Sequence, residues 1–239
     1  MRWDPTVTGL EHVPKQGPAL IASNHISLVD WIFLGRGVVP INRLIRFMAM
    51  KEAFEHWLGG PLLRAMRHLP VDRYGSPEGA IAPAVEALRH GELVGIFPEG
   101  VMSRSFVPAK ARTGAARIAM EAGAPLIPAA VWGSHRILSS KRHRGLFRRG
   151  IAVSVRYGRP IPYRPGEDPI AVSERLMASI GELVRQLQAE YPQQPGSEKH
   201  RWWLPAHLGG TAPTVEESER RASERKLRRQ AERDAGRSD

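Results

Sequence analysis

The sequence predicts an α/β fold: a single domain with a mainly parallel central sheet flanked by helices. Two observations predict it. Short apolar runs alternate with longer stretches of helical period over the first 190 residues, and strands separated by helices build parallel sheets. Polar residues also fall directly after several of these runs, which is where such sheets carry ligands, beyond the carboxyl ends of the strands.

The elements follow in order. "PALIAS" at 18–23 reads as a strand and Leu28–Val38 as a helix. "IRFMAM" at 45–50 is a second strand. A helix-like stretch runs from Glu52 to Arg67 with a break near Gly59-Gly60-Pro61. "HLPVD" at 68–72 is a short strand, and Pro77–His90 is a helix with proline near its start. "ELVGIFP" at 92–98 is a buried strand, and Ala111–Ala122 is a helix ending at Gly123. "APLIPAAVWG" at 124–133 and Ile151–Arg156 are further strands, and Ile170–Glu190 is a long amphipathic helix. We take residues 1–190 as the main domain. Residues 191–210 are rich in Pro and Gly and contain Trp202-Trp203. They read as an arm packed on the domain, with a membrane-interface role for the tryptophan pair as the alternative. Residues 211–239 carry eight Lys or Arg and seven Asp or Glu, a charged tail that is helical or disordered.

Composition excludes several chemistries. An apolar share of 42% supports a real core. There is no cysteine, so disulfides, thiol nucleophiles and thiolate metal sites are ruled out. The first residues lack an apolar signal segment, and no apolar run approaches 18 residues. A location on the cytoplasmic side of the cell membrane, with no spanning helix, is expected. The net charge is +11 and uneven: no carboxylate lies between Glu121 and Glu167, a stretch with nine Lys or Arg. Such a block attracts anions: nucleic acid, an anionic membrane, a phosphorylated substrate or an acidic carrier. The block has no aromatic interleaving of the RNA-binding kind and no helix-turn-helix, so nucleic acid is not the expected partner.

The stretch with the most chemistry is "SNHISLVDW", Ser23 to Trp31. Ser27 and Asp30 fit S-x-x-D, a capping-box spacing, in which case His25 is loop surface. In a continuous helix a five-residue step turns side chains about 140° apart. His25 and Asp30 meet only if His25 lies in the loop and Asp30 in the first helical turn. Asp30 would then orient the ring for proton abstraction. No G-x-S-x-G elbow, phosphate loop or dinucleotide loop is present, and no metal-ligand cluster surrounds His25. A base acting directly on a substrate hydroxyl fits what remains. "IFPEG" sets Glu99 and Gly100 at a strand end. Arg73 closes "LPVDR" and Arg104 follows in "EGVMSRS". Arginines at strand ends suit phosphate, because the planar guanidinium binds two oxygens at once.

The ordered set resembles the glycerolipid acyltransferase family over roughly Gly9 to Arg159. Asn24-His25 through Asp30 match its block N-H-x-x-x-x-D. "LPVDR" matches the second block, "FPEG" the third and "LIPAAVWG", with Pro128, the fourth. The resemblance implies that His25 is the general base and Asp30 its orienting partner. It implies that Asn24, Arg73, Glu99, Gly100 and Arg104 serve the substrate, a lysophospholipid such as lysophosphatidic acid. The acyl donor would be a thioester on coenzyme A or acyl carrier protein, with no further cofactor and no metal. The near alternative is another lysolipid or glycolipid acceptor. A non-catalytic anionic-lipid or nucleic-acid-binding protein is the alternative of a different class. Two departures stand out: Arg67 occupies the place where the second block usually has glycine, and Arg104 is displaced by two residues from the usual E-G-T-R-S. Many members also carry a membrane helix pair before the first block. Here 23 residues precede Asn24, so membrane contact is expected from surface elements such as the "FEHWLGGPLLRAM" stretch or the basic block. Trp31, Phe33 and Trp57 are expected to shape the acyl tunnel.

Overall fold

A computed structural model of the chain describes residues 4–57, 59–72, 76–110, 112–139 and 150–235. Among these, seven strands form one sheet: β1 (Thr6–Thr8), β2 (Ala19–Ser23), β3 (Ile45–Met50), β4 (Leu69–Val71), β5 (Leu93–Ile96), β6 (Leu126–Trp132) and β7 (Ser154–Tyr157). Their order is β1-β7-β6-β2-β5-β3-β4, and every pairing is parallel except β6 with β7. The helices are α1 (Asp30–Gly37), α2 (Lys51–Glu55), α3 (Gly59–Ala65), α4 (Pro77–Arg89), α5 (Gly114–Ala122), α6 (Pro169–Ala189) and α7 (Val215–Ala235).

The central strands are buried on both faces, which is why they read as apolar throughout. Leu20 and Ala22 of β2 face one layer, with Leu88 of α4, Ile118 of α5 and Leu176 and Ile180 of α6. Ala19 and Ile21 face the other, with Phe33 and Leu34 of α1. The two-residue pleat of a strand makes this division automatic. Burying side chains of this size stabilises by about 1.5–3 kcal/mol each.

Register then sets the functional edge. Ala22 lies opposite Ile96, and Ser23 lies opposite Ala129. The chain leaving β2 therefore emerges beside the ends of β5 and β6. The strand β2 is also where the topology divides: β5, β3 and β4 lie on one side and β6, β7 and β1 on the other. That is the place where open α/β sheets bind ligands.

Several helix starts follow from local chemistry. Ser76 caps α4 by accepting the Gly79 N–H at 3.0 Å, with Pro77 in the first helical position. Asp168 caps α6 through the Ile170 N–H at 2.9 Å, with Pro169 following. Both prolines sit where a missing N–H costs nothing.

The structure departs from expectation in several elements. The strand β1 was not anticipated: three residues are too few to show a period, and it exists through its pairing with β7. The stretch 52–67 is broken earlier than expected. Helix α2 stops at Glu55, and Gly59-Gly60-Pro61 open α3 instead of interrupting a helix, because proline is tolerated in a first turn. Arg67 adopts a left-handed backbone, φ 56°, a conformation glycine takes freely. Its guanidinium holds Glu92 at 3.0 Å.

The segment after α6 returns to the domain. Residues Glu198–Trp203 form a 3-10 turn, and Trp203 is buried against the Tyr191 ring at 5.6 Å. His135 Nε2 donates to the Trp203 carbonyl at 2.9 Å. Within α7, Arg220 lies 3.9 Å from Glu224. No helix among the described residues is long and apolar enough to cross a membrane.

Candidate active site

His25 follows β2 in the loop, and Asp30 opens α1. This is the arrangement in which residues five apart can meet. His25 Nδ1 and Asp30 Oδ2 are 2.9 Å apart. The same Oδ2 accepts the N–H groups of Ile26 and Ser27, both at 2.7 Å. Asp30 Oδ1 accepts the Ser134 hydroxyl at 2.5 Å. Asp30 is completely buried. Three donors besides His25 converge on this carboxylate, an arrangement that suits it to accept from a ring N–H at Nδ1. The His25 ring stacks on Phe97 at 4.1 Å and 16°, which fixes its plane. Its Nε2 makes no hydrogen bond among the described residues, and the side chain is 20% exposed.

The capping reading is half realised. The Ser27 N–H donates to Asp30, as in a capping box, but the Ser27 hydroxyl does not cap α1. It donates to the carbonyls of Ser134 and Leu138, tying the His25 loop to the chain after β6. Residues 26–29 are thereby held as a turn, and the helix starts at Asp30, two residues later than expected.

Asn24 is also completely buried. Its side chain accepts the Val131 N–H at 2.9 Å and donates to the Val131 carbonyl at 3.1 Å. Asn24 therefore continues the β2–β6 pairing with its side chain, and faces the sheet. Glu99 behaves similarly: Oε1 accepts the His25 N–H at 3.0 Å and Oε2 the Ala109 N–H at 3.1 Å. Burial pushes its carboxyl up to about 7, against the two amide bonds, which hold it down. Gly100 has φ 69°, a turn that returns the chain after "FPE", and Arg112 lies over it. Arg104 lines a cavity with Ile26 and Ser103. Arg73 lies outside the described residues, as do the basic positions Lys141, Arg142, Arg144, Arg148 and Arg149.

Two residues join this group that the sequence reading passed over. Ser134 supports Asp30. Its signal was its place immediately after a buried strand and a glycine. Arg112 brings a guanidinium to the Gly100 turn, and its backbone N–H donates to the Pro98 carbonyl at 3.0 Å. Of the expected tunnel residues, Phe33 is in the core under the sheet and Trp57 is exposed. Among the described residues no three His, Asp or Glu side chains gather as metal ligands.

Fold and site define an α/β protein with a His–Asp pair, its aspartate buried, at the carboxyl edge of its sheet. The comparisons with known proteins narrow this class. A profile of the Acyltransferase family matches residues 4–132. The chain is 34% identical over 183 residues to the 1-acyl-sn-glycerol-3-phosphate acyltransferase of Bacillus subtilis, covering 74% of this chain and 86% of that one. It is 27% identical over 188 residues to the enzyme of the same name from Pseudomonas aeruginosa, covering 76% and 69%. The crystal structure of the 1-acyl-sn-glycerophosphate (LPA) acyltransferase, PlsC, from Thermotoga maritima shares the fold. The TM-score is 0.63 and the identity 22%, covering 80% of this chain and 74% of that one. The chain belongs to the acyltransferase family and is an O-acyltransferase.

Proposed function

We propose that the protein transfers a fatty acyl group from a thioester, on coenzyme A or acyl carrier protein, to the free hydroxyl of lysophosphatidic acid. The product would be phosphatidic acid. The observation that carries this reading is the His25–Asp30 pair at 2.9 Å, with Asp30 buried, His25 partly exposed and Nε2 without a hydrogen bond among the described residues, in a member of the family. The relatives' names supply the acceptor.

The chemistry follows from the geometry. The acceptor hydroxyl hydrogen-bonds to His25 Nε2. The ring takes its proton as the oxygen attacks the thioester carbonyl. Asp30 keeps the Nδ1–H tautomer and sets a negative charge beside the ring while it carries the second proton. The tetrahedral intermediate collapses with cleavage of the C–S bond, and the thiolate receives the proton from His25. Ester and thiol account for all the atoms, so the scheme balances without a further reactant. Asn24, Glu99 and Ser134 act in this scheme by positioning the loop that bears His25 and its partner. Arg73, Arg104 and Arg112 are the cations proposed for the phosphate, and Gly100 keeps the backbone open beneath Arg112. Fixing the phosphate fixes which hydroxyl meets the base, and such positioning supplies several kcal/mol.

The acceptor is a membrane lipid, so we propose peripheral attachment to the cytoplasmic face of the cell membrane. The basic block and the exposed Trp57 and Leu62 of the α2–α3 region would make the contact. Flotation with vesicles containing anionic lipid tests this. Charge reversal at Arg142 and Arg144 is expected to weaken flotation or to raise the KM for the donor, and no change in either would remove the block from the scheme.

The decisive experiment is thiol release from palmitoyl-CoA with and without lysophosphatidic acid, in wild type and His25→Ala. Acceptor-dependent release, lowered by about 10²–10⁴-fold in the folded variant, is expected for a general base. Equal release from both proteins would return His25 to the role of a loop residue.

A further inference from the structure

His135 is a fully buried ring that takes no part in the chemistry above, and its Nδ1 makes no hydrogen bond among the described residues. A buried nitrogen without a partner is unfavourable, and an apolar ring of similar size would avoid that cost. The other nitrogen accounts for the histidine: Nε2 donates to the Trp203 carbonyl at 2.9 Å. That bond joins the residue next to Ser134 to the C-terminal arm, which lies beyond the residues 4–132 that the family profile matches.

Three observations connect the arm to the catalytic pair. Ser134–Arg136 form one 3-10 turn, closed by the Arg136 N–H on the Gly133 carbonyl at 3.1 Å and the Ile137 N–H on the Ser134 carbonyl at 2.9 Å. At three residues per turn, successive side chains diverge by about 120°, so each finds a different partner. Ser134 Oγ donates to Asp30 Oδ1 at 2.5 Å, and His135 holds the Trp203 carbonyl. Arg136 donates to the Tyr191 hydroxyl at 2.8 Å and lies over the Trp203 ring at 4.4 Å. A turn this tight does not shift at His135 without moving Ser134. The His135 ring also lies 4.3 Å from that of Phe106 and 4.7 Å from that of Trp132. Phe106 belongs to the loop whose Ser103 N–H donates to the His25 carbonyl at 2.7 Å. Lastly, the arm is folded on itself: the Thr211 and Ala212 N–H groups donate to the Arg201 and Leu204 carbonyls, and Trp203 is buried. It is a fixed support for the turn.

We propose that His135 is a positioning residue for the acyl transfer. Fixed between the arm and the turn, it holds Ser134 on Asp30 and so keeps Asp30 aligned with His25. The arm is then part of what makes the pair competent, although the family profile ends before it. The inference rests on the acyltransferase reading and deepens it. His135 touches no substrate in this scheme, so it acts on kcat and leaves both KM values as they are.

The test compares wild type, His135→Phe, His135→Gln, Ser134→Ala and the double variant Ser134→Ala/His135→Phe, all as the full chain. Phenylalanine fills the ring space without a donor, and glutamine keeps a donor for Trp203. With palmitoyl-CoA and lysophosphatidic acid, kcat is expected to fall about five- to tenfold in His135→Phe at unchanged KM, and His135→Gln to regain most of it. The double variant is expected to be no slower than Ser134→Ala alone, because His135 acts through Ser134. Losses that multiply in the double variant, a rise in KM alone, or full kcat in His135→Phe each overturns the proposal. Amide hydrogen exchange gives a readout without turnover. The Ile26 and Ser27 N–H groups, which donate to Asp30, are expected to exchange about tenfold faster in His135→Phe and to recover in His135→Gln, while α4 exchanges as in wild type. Faster exchange spread evenly over the chain would reduce His135 to general stability and overturn the proposal. Should His135→Phe not fold, Trp203→Phe, which loosens the arm from its own end, is read against the same outcomes. If wild type transfers no acyl group yet Ile26 and Ser27 still respond to His135, the acyltransfer reading falls and the coupling of arm to Asp30 stands. If transfer is intact and both kcat and exchange are indifferent to His135, the reverse holds.

Discussion

Asp30 illustrates how much one side chain can organise. Its two oxygens collect four donors, from His25, Ile26, Ser27 and Ser134. Replacing it by Asn keeps the shape but turns an NH2 group toward N–H or O–H donors that then have no acceptor. Asp30→Asn is therefore expected to lower both stability and kcat. Ser134→Ala is the finer probe. It removes one charge-assisted bond to a buried carboxylate, worth about 1–3 kcal/mol. Steady-state kinetics are expected to show a lower kcat with little change in either KM, because Ser134 holds the Asp30 oxygen that His25 does not. A rise in KM alone would mean that Ser134 meets the substrate. At this scale the sequence was legible in part. The His25–Asp30 spacing announced the pair, but nothing in the local spacing announced Ser134, which is 104 positions further on.

At the scale of elements, the site is a matter of where three strands end. The ends of β2, β5 and β6 deliver His25, Glu99 and Ser134, and side chains stitch these ends together where the sheet's own ladder stops. Asn24 joins the β2 end to Val131, and Glu99 joins it to the loop at Ala109. Gly133 is the hinge between β6 and Ser134. Its φ is 92°, and a Cβ there would stand 2.2 Å from the Ala152 carbonyl oxygen. Gly133→Ala is thus expected to force the backbone to move, with a Tm loss and a fall in kcat through the displaced Ser134. Thermal melts and turnover on the same preparation check this. Full activity with a lower Tm would separate Gly133 from the site.

At the scale of the whole molecule, three buried titratable groups shape the pH dependence of stability. His68 and His135 are both lowered to about 4, from 6.5, by burial. The unfolded chain takes up these protons first, so their contribution is complete above about pH 6.5 and is lost as the pH falls toward 4. Glu99 acts in the opposite sense. Its carboxyl is raised to about 7, so its contribution is complete below 4.5 and is lost as the pH rises through 7. Two groups against one give a stability that climbs from pH 4.5 and levels off near pH 7. Calorimetric Tm values across pH 4.5–8 test this. His135→Gln keeps a donor for Trp203 but cannot titrate, and it is expected to flatten the acid limb. An acid limb of unchanged slope in that variant would remove His135 from the account.

The sequence by itself determined the alternation of strand and helix, the buried character of β2, β5 and β6, and the local juxtaposition of His25 with Asp30. These depend on residue period and on neighbours within one turn, and both are written in the order of residues. The tertiary structure decided what long-range pairing decides. It created β1, which exists through β7. It turned Asn24 and Glu99 inward onto backbone amides, because an end of a strand buried beneath the site leaves N–H and carbonyl groups that need partners. It added Ser134 behind Asp30 and Arg112 over Gly100. It also seated the C-terminal arm on the chain after β6, through His135 and Trp203. Most of these contacts join residues from 74 to 148 positions apart, and no local spacing can encode them.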